Sequence, residues 1–371
     1  MALSVGIVGL PNVGKSTLFN ALTASKVEAA NYPFATINPN KGIVRVMDKR
    51  VKFLSDAFVP EKTIYATIEF NDIAGLVRGA NKGEGLGNQF LAHIRECDVI
   101  LEVVRCFSDS DIIHVEDGVD ASRDIAIINL ELILKDLDSL YKRRGKVETK
   151  ARVNKEKEAM FEMEIFNKLI PALENEIPAR LVEGLNNIEK DFIKVNYGLL
   201  TFKPVIYVAN ISDSEYLTYK ENKEYQKVEA IAKQEKAEVV AISAAIEAEI
   251  ISLSAAEQEL YFAELGIDQS GLNKVVEVAY KTLGLSSFFT VGKDEVRAWN
   301  FKNGMTAPQC AGVIHSDFER GFIRADVYHY ADFVQYRDEN KIKEAGKMRS
   351  EGKDYVMEDG DIVFFKFNVR K

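Results

Sequence analysis

The sequence predicts an α/β protein: a mostly parallel sheet domain, interrupted by an α-helical hairpin and followed by a smaller β-rich unit. Three observations carry that prediction. The chain opens on a short apolar run, Val5-Gly6-Ile7-Val8, which leads through a glycine-containing loop into a helical stretch from Thr17 to Ala24. Between Asp124 and about Lys194 apolar residues recur at helical spacing, first Ile128, Leu132, Leu137 and Leu140, then Met160, Met163, Phe166 and Leu169. From Leu285 onward strand-like runs return at 295–301, 321–328 and 360–368 around a polar helical middle.

Whole-chain properties set the frame. With 371 residues, 47% of them hydrophobic and 28% charged, the chain reads as a soluble globular protein of two or three domains. No apolar run approaches the roughly 18 residues of a membrane span. The apolar N-terminus has no basic segment before it and runs straight into the loop, so it reads as a core strand and not a signal peptide. Three cysteines (Cys97, Cys106, Cys310), with no C-x-x-C pair, point to a reducing, cytoplasmic setting without a structural metal. A net charge of −9 argues against a surface that coats nucleic acid, though not against a local basic patch. The pattern shifts place 1–123 and 200–284 in the sheet domain, 124–199 in the helical insertion, and 285–371 in the last unit.

Taken in order, residues 9–16 read G-L-P-N-V-G-K-S, the P-loop pattern. Gly9 and Gly14 let the backbone curl so that its N–H groups face phosphate oxygens, and the following helix adds its positive end. Lys15 would neutralise the β- and γ-phosphates, and the Ser16 hydroxyl would ligate Mg²⁺. A glycine turn that binds nothing is the competing reading; the strand before and the helix after weigh against it. Asn31 to Asn40, with two prolines, is an exposed loop where switch proteins carry the Thr that completes the Mg²⁺ shell, and Thr36 is the candidate.

Strand-like runs at 42–46 and 64–71 follow, the second closing on Asp72-Ile73-Ala74-Gly75. An Asp-x-x-Gly there holds Mg²⁺ through water and offers a glycine amide to the γ-phosphate. The next residue is Leu76, where Ras-type enzymes use a water-orienting Gln, so hydrolysis is slow or another group places the water. Residues 99–104 read as a buried strand leading toward His114, which spacing alone makes a surface or packing histidine. In the helical insertion, residues 142–157 hold eight Lys/Arg against two Glu, either a solvated tip or an RNA-phosphate contact.

The sheet resumes at 205–209 and ends on Asn210-Ile211-Ser212-Asp213, where GTPases carry Asn-Lys-x-Asp; a further strand ends at Ser243-Ala244-Ala245, where they carry Ser-Ala-Lys. The base pocket is GTPase-like but altered at two positions. His315 and Asp317 read as turn residues, and the last unit reads as a binding module.

These stretches together resemble the YchF/Obg-like ATPase family over essentially the whole chain. The resemblance rests on G-L-P-N-V-G-K-S-T-L-F-N (9–20), N-Y-P-F-A-T-I (31–37), D-I-A-G-L-V-R-G-A-N-K-G-E-G-L-G-N-Q-F-L (72–91), V-V-R-C-F (103–107), E-V-R-A-W (295–299) and G-F-I-R-A (321–325). It implies a GTPase-like P-loop NTPase domain with an inserted coiled-coil hairpin and a C-terminal β-grasp (TGS) domain. It implies ATP hydrolysis with Mg²⁺ held by Ser16 and Thr36, with Asp72 acting through water. Phosphate and base contacts would come from Asn12, Val13, Gly14, Lys15, Ser16 and Thr17, from Asn210, Ile211 and Asp213, and from Ser243. His114 becomes the candidate for positioning the water in place of Leu76, with Lys15 the other catalytic residue. Asn12 in this loop suggests K⁺ beside the α- and β-phosphates. Partners implied are ATP and the ribosome, its large subunit or the whole particle, with RNA reached through the TGS domain and the basic hairpin; a monomer and no membrane are expected. Asp213 departs from the Glu usual in the family and is the shorter carboxylate that guanine-binding proteins use. A GTPase in ribosome assembly, or a nucleotide-gated ribosome-binding module with incidental hydrolysis, are the other readings.

Overall fold

The computed structural model describes residues 3–24, 40–73, 91, 93–109 and 118–368. They fall into two compact units, one built mainly from 69–275 with the first strand and helix, the other from 43–68 and 276–368.

In the first unit the apolar runs become central strands because both faces of a parallel sheet are covered. Strand β1 (Ser4–Val8), β5 (Val99–Arg105) and β6 (Val205–Asn210) are buried at every position. With β2 (Lys41–Arg45), β4 (Thr67–Asp72) and β7 (Glu238–Ile242) they form a six-stranded sheet ordered β2-β4-β1-β5-β6-β7. β1 pairs in parallel with β4 on one side and β5 on the other, so the strand order reverses at β1. Open α/β sheets bind ligands beyond the carboxyl ends of the strands at such a reversal.

The helical stretch is helix Ala121–Thr149, a π-helical turn over 150–154, and helix Lys157–Glu174, with a shorter helix, Asn187–Asn196, after them. Leu140, Ile165, Phe166, Leu169, Ile193 and Leu199 share one core. Met160, which the apolar spacing puts inward, is half exposed. Asp136 is fully buried and accepts bonds from the amides of Leu200 and Thr201, both at 2.8 Å, and from the Thr201 hydroxyl at 2.6 Å.

The second unit has a mixed sheet of β3 (Lys62–Ile64), β8 (Leu285–Val291), β9 (Glu295–Lys302), β10 (Phe322–His329), β11 (Arg349–Glu351) and β12 (Asp361–Phe367), ordered β11-β10-β12-β8-β9-β3. β8 and β12 run parallel at its centre, each with an antiparallel neighbour, and helix Ala307–Ile314 packs on one face, the β-grasp arrangement. The other face is covered by helix α2 (Lys49–Phe58), through Val51 and Leu54, and by helices Tyr330–Tyr336 and Glu339–Glu344. Segment 43–68, far from the C-terminus in sequence, thus completes the second unit. β3 extends the sheet beside β9, and Arg50 forks onto Asp359 at 2.7 and 3.1 Å. No helix among the described residues is long and apolar enough to cross a membrane.

Candidate functional site

The loop between β1 and helix α1 (Lys15–Ala24) stands at the strand-order reversal. Its shape demands its glycines. A Cβ on Gly9 would lie 2.8 Å from the Val103 carbonyl oxygen, and one on Gly14 would lie 2.2 Å from the Asn210 Nδ2. Gly14 also has φ +94°, and Asn12 has φ +62°, in the left-handed region that Asn tolerates better than most side chains. α1 then starts at Lys15, with the Leu18 amide bonded to the Gly14 carbonyl at 2.9 Å, so the loop leads directly into a helix N-terminus. Asn12 is exposed on this loop, and Ser16 and Thr17 are exposed in the first turn of α1.

Lys15 is buried along its stem, and its ammonium pairs with the Asp72 carboxylate. Sheet register explains the meeting: Asp72 is the partner of Ile7 across β1 and β4, which sets the carboxylate beside the loop. A cation, a helix N-terminus and a carboxylate thus converge where strand ends meet. That arrangement suits a polyanion with a hard cation: a helix N-terminus can take phosphate oxygens, and the Ser16 hydroxyl and Asp72 are oxygen ligands of the kind Mg²⁺ prefers.

Asn210 joins the loop to the start of helix Ala244–Ser252. Buried at the end of β6, it donates from Nδ2 to the Val13 carbonyl at 2.9 Å and accepts at Oδ1 from the Ala244 amide at 3.0 Å. Ser243, also buried, caps helix Ala244–Ser252 by accepting from the Ile246 amide. Asn210 thus ties Val13 of the loop to Ala244, the residue after Ser243, in one hydrogen-bonded unit, with Asp213 outside it. Ile211 is buried and its amide is taken by the Ile242 carbonyl at 2.8 Å. Asp213 is exposed and its carboxylate accepts from the neighbouring Ser214 amide at 2.8 Å.

Thr36, Leu76 and His114 lie outside the described residues. Sequence reasoning missed the part of Ala244, whose contribution is a backbone amide and carries no side-chain signal. The three cysteines are buried, and burial pushes each thiol upward, that of Cys310 to about 12, so none is a ready nucleophile.

The family model YchF-GTPase_C, described as a protein of unknown function (DUF933), matches residues 285–368, and MMR_HSR1, described as a 50S ribosome-binding GTPase, matches residues 4–135. The Bacillus subtilis (strain 168) protein named "Ribosome-binding ATPase YchF" is 52% identical over 369 residues and covers 100% of both chains. A solved structure of the Schizosaccharomyces pombe YchF GTPase aligns with TM-score 0.88 at 40% identity, over 98% of each chain. A GTP-binding protein from Pyrococcus horikoshii OT3 shares the fold, with TM-score 0.61 at 20% identity over 99% of this chain and 100% of that one. The first two relatives carry different nucleotides in their names.

Proposed function

The chain belongs to the YchF family, and on that premise we propose that it is a ribosome-associated switch that hydrolyses ATP to ADP and phosphate. The observation that carries this reading is the Asn210 tie, which puts the phosphate loop and the base-side strand ends into one rigid frame beside Lys15 and Asp72.

The amides of the 12–17 turn and the Lys15 ammonium bind the β- and γ-phosphates, so a γ-phosphate competes with Asp72 for Lys15. Ser16 and Thr36 would hold Mg²⁺, with Asp72 acting through water, and the ion would supply charge neutralisation at the phosphates. K⁺ beside Asn12 would add charge near the α- and β-phosphates. Leu76 can neither donate nor accept a hydrogen bond, so unstimulated turnover is slow and His114 orients the water. Isoleucine at 211 in place of the guanine-site Lys, and Ala245 in place of a second Lys, weaken guanine reading and favour ATP. The exposed basic side chains of the helical tip and the C-terminal unit are the proposed ribosome contacts.

The test is to titrate ATP and GTP separately into the full chain with Mg²⁺, in K⁺ and again in Na⁺. Tighter ATP binding, faster turnover in K⁺, and a His114→Ala variant with lowered kcat at unchanged affinity are expected. Tighter GTP binding would mean that Asp213 reads the guanine edge, and the activity is then a GTPase.

A further inference from the structure

One buried carboxylate adjoining this frame has no part in the chemistry above. Glu247 lies in the first turn of helix Ala244–Ser252, and its Oε1 accepts from the Gly271 amide at 2.6 Å, with the Leu272 amide also favouring the charged carboxylate. Those amides open helix Gly271–Thr282. Its other oxygen, Oε2, is buried with no hydrogen-bond partner among the described residues. Holding a carboxylate in that state is costly, and a helix start needs no such group. Ser270 already serves as a cap, accepting from the Asn273 amide at 3.1 Å. The fit is also tight: a Cβ on Gly271 would lie 2.8 Å from Glu247 Oε1 and 3.0 Å from Ile242 Cγ2 at the end of β7.

Short links connect this carboxylate to the phosphate loop. The Glu247 amide bonds to the Ser243 carbonyl at 3.0 Å, so the carboxylate and the Ser243-Ala244 corner belong to one helical turn. The Ala244 amide bonds to Asn210, and Asn210 bonds to Val13. Ser243, Glu247 and Asn210 are all buried, which leaves little slack between the ends of this chain of contacts.

We propose that Glu247 is a positioning residue for nucleotide binding. By gripping the Gly271 amide it sets where the turn 243–247 stands, and so where Ala244 holds Asn210 against the phosphate loop. The proposal rests on the reading of 12–17 and 210–213 as the nucleotide site.

The test uses the full chain, with ATP affinity, KM, kcat and melting temperature measured for wild type, Glu247→Ala, Glu247→Gln and Gly271→Ala. In Glu247→Ala the Kd and KM rise about tenfold while kcat falls by a smaller factor, the loss expected for one buried charged hydrogen-bonding group. Glu247→Gln keeps an oxygen acceptor for the Gly271 amide and returns Kd to within about twofold of wild type. Gly271→Ala pushes the carboxylate aside and gives an intermediate rise, and it stands in for Glu247→Ala should that variant not fold. A lowered melting temperature with Kd within about twofold of wild type, in either variant, would make Glu247 a structural cap only and overturn the proposal. Wild-type protein that binds neither ATP nor GTP would instead overturn the nucleotide reading on which it rests.

Discussion

A single amide side chain decides whether the candidate site is one frame or three loops. Asn210 spends its donor on Val13 and its acceptor on Ala244, both in buried surroundings. Asn210→Ala leaves a buried carbonyl and a buried amide unpartnered, at about 1–3 kcal/mol each. The expected result is nucleotide affinity reduced tenfold or more, with a lowered unfolding midpoint; wild-type affinity would show that the loop holds its shape unaided. Glu247 supplies a pH test at the same scale. Burial pushes its carboxyl up to about 7 from an ordinary 4.5, against the opposing pull of the Gly271 and Leu272 amides and of Lys274. Because the folded state holds the proton more tightly than the unfolded chain, this contribution is most favourable below pH 4.5 and is lost as pH rises toward 7. Its loss amounts to on the order of 3 kcal/mol. The stability of wild type relative to Glu247→Gln should therefore fall between about pH 4.5 and 7 in denaturant titrations, and a pH-independent difference would refute the burial argument.

Among the elements, the helical insertion shows what local pattern conveys and what it omits. Its apolar spacing follows from one buried face, and Phe166 and Leu169 are fully buried as the period requires. Its attachment depends on Asp136, a charged residue that periodicity assigns to no face; there the amides of Leu200 and Thr201 satisfy a carboxylate that burial pushes up to about 6. The basic tip is also partly reassigned by structure. Arg143 is committed internally, to Glu162 at 2.7 Å and the Asn196 carbonyl at 3.0 Å, whereas Lys146, Lys150, Arg152, Lys155 and Lys157 are exposed. Reversing Lys150, Arg152 and Lys155 to Glu should weaken ribosome cosedimentation severalfold, more so at low salt, while leaving ATP hydrolysis near wild type. Unchanged cosedimentation would return the tip to an ordinary solvated end.

Across the whole molecule, the second unit is assembled from parts of the chain separated by more than two hundred residues. Leu54 of α2 is fully buried in a core with Phe289, Val296, Phe333 and Ile362. Leu54→Ala should cost about 2–5 kcal/mol, the range for a large-to-small change in a packed core. Its effect should appear as faster amide exchange in β8, β9 and β12, although the substitution lies in the N-terminal part of the chain. Exchange accelerated only in β1, β5 and β6 would contradict the assignment of 43–68 to the second unit.

What the sequence determined alone was whatever is contiguous. The phosphate loop is legible in residues 9–16 because its glycines, Lys15 and the helix start act within one turn, so composition and order suffice. The central strands are legible from runs such as 99–104, since burial on both faces needs apolar side chains throughout. Family likeness extends that legibility to the β-grasp unit. Tertiary structure decided the rest. α2 gave no sign in the strand-like pattern around it, and β3 pairs with β9 across more than 230 residues, a choice that no local spacing encodes. Pairing of Lys15 with Asp72, the double role of Asn210 and the grip of Glu247 on Gly271 depend on distances between separate strands and helices. A residue's type says which bonds it can make; only the fold brings the partner within reach.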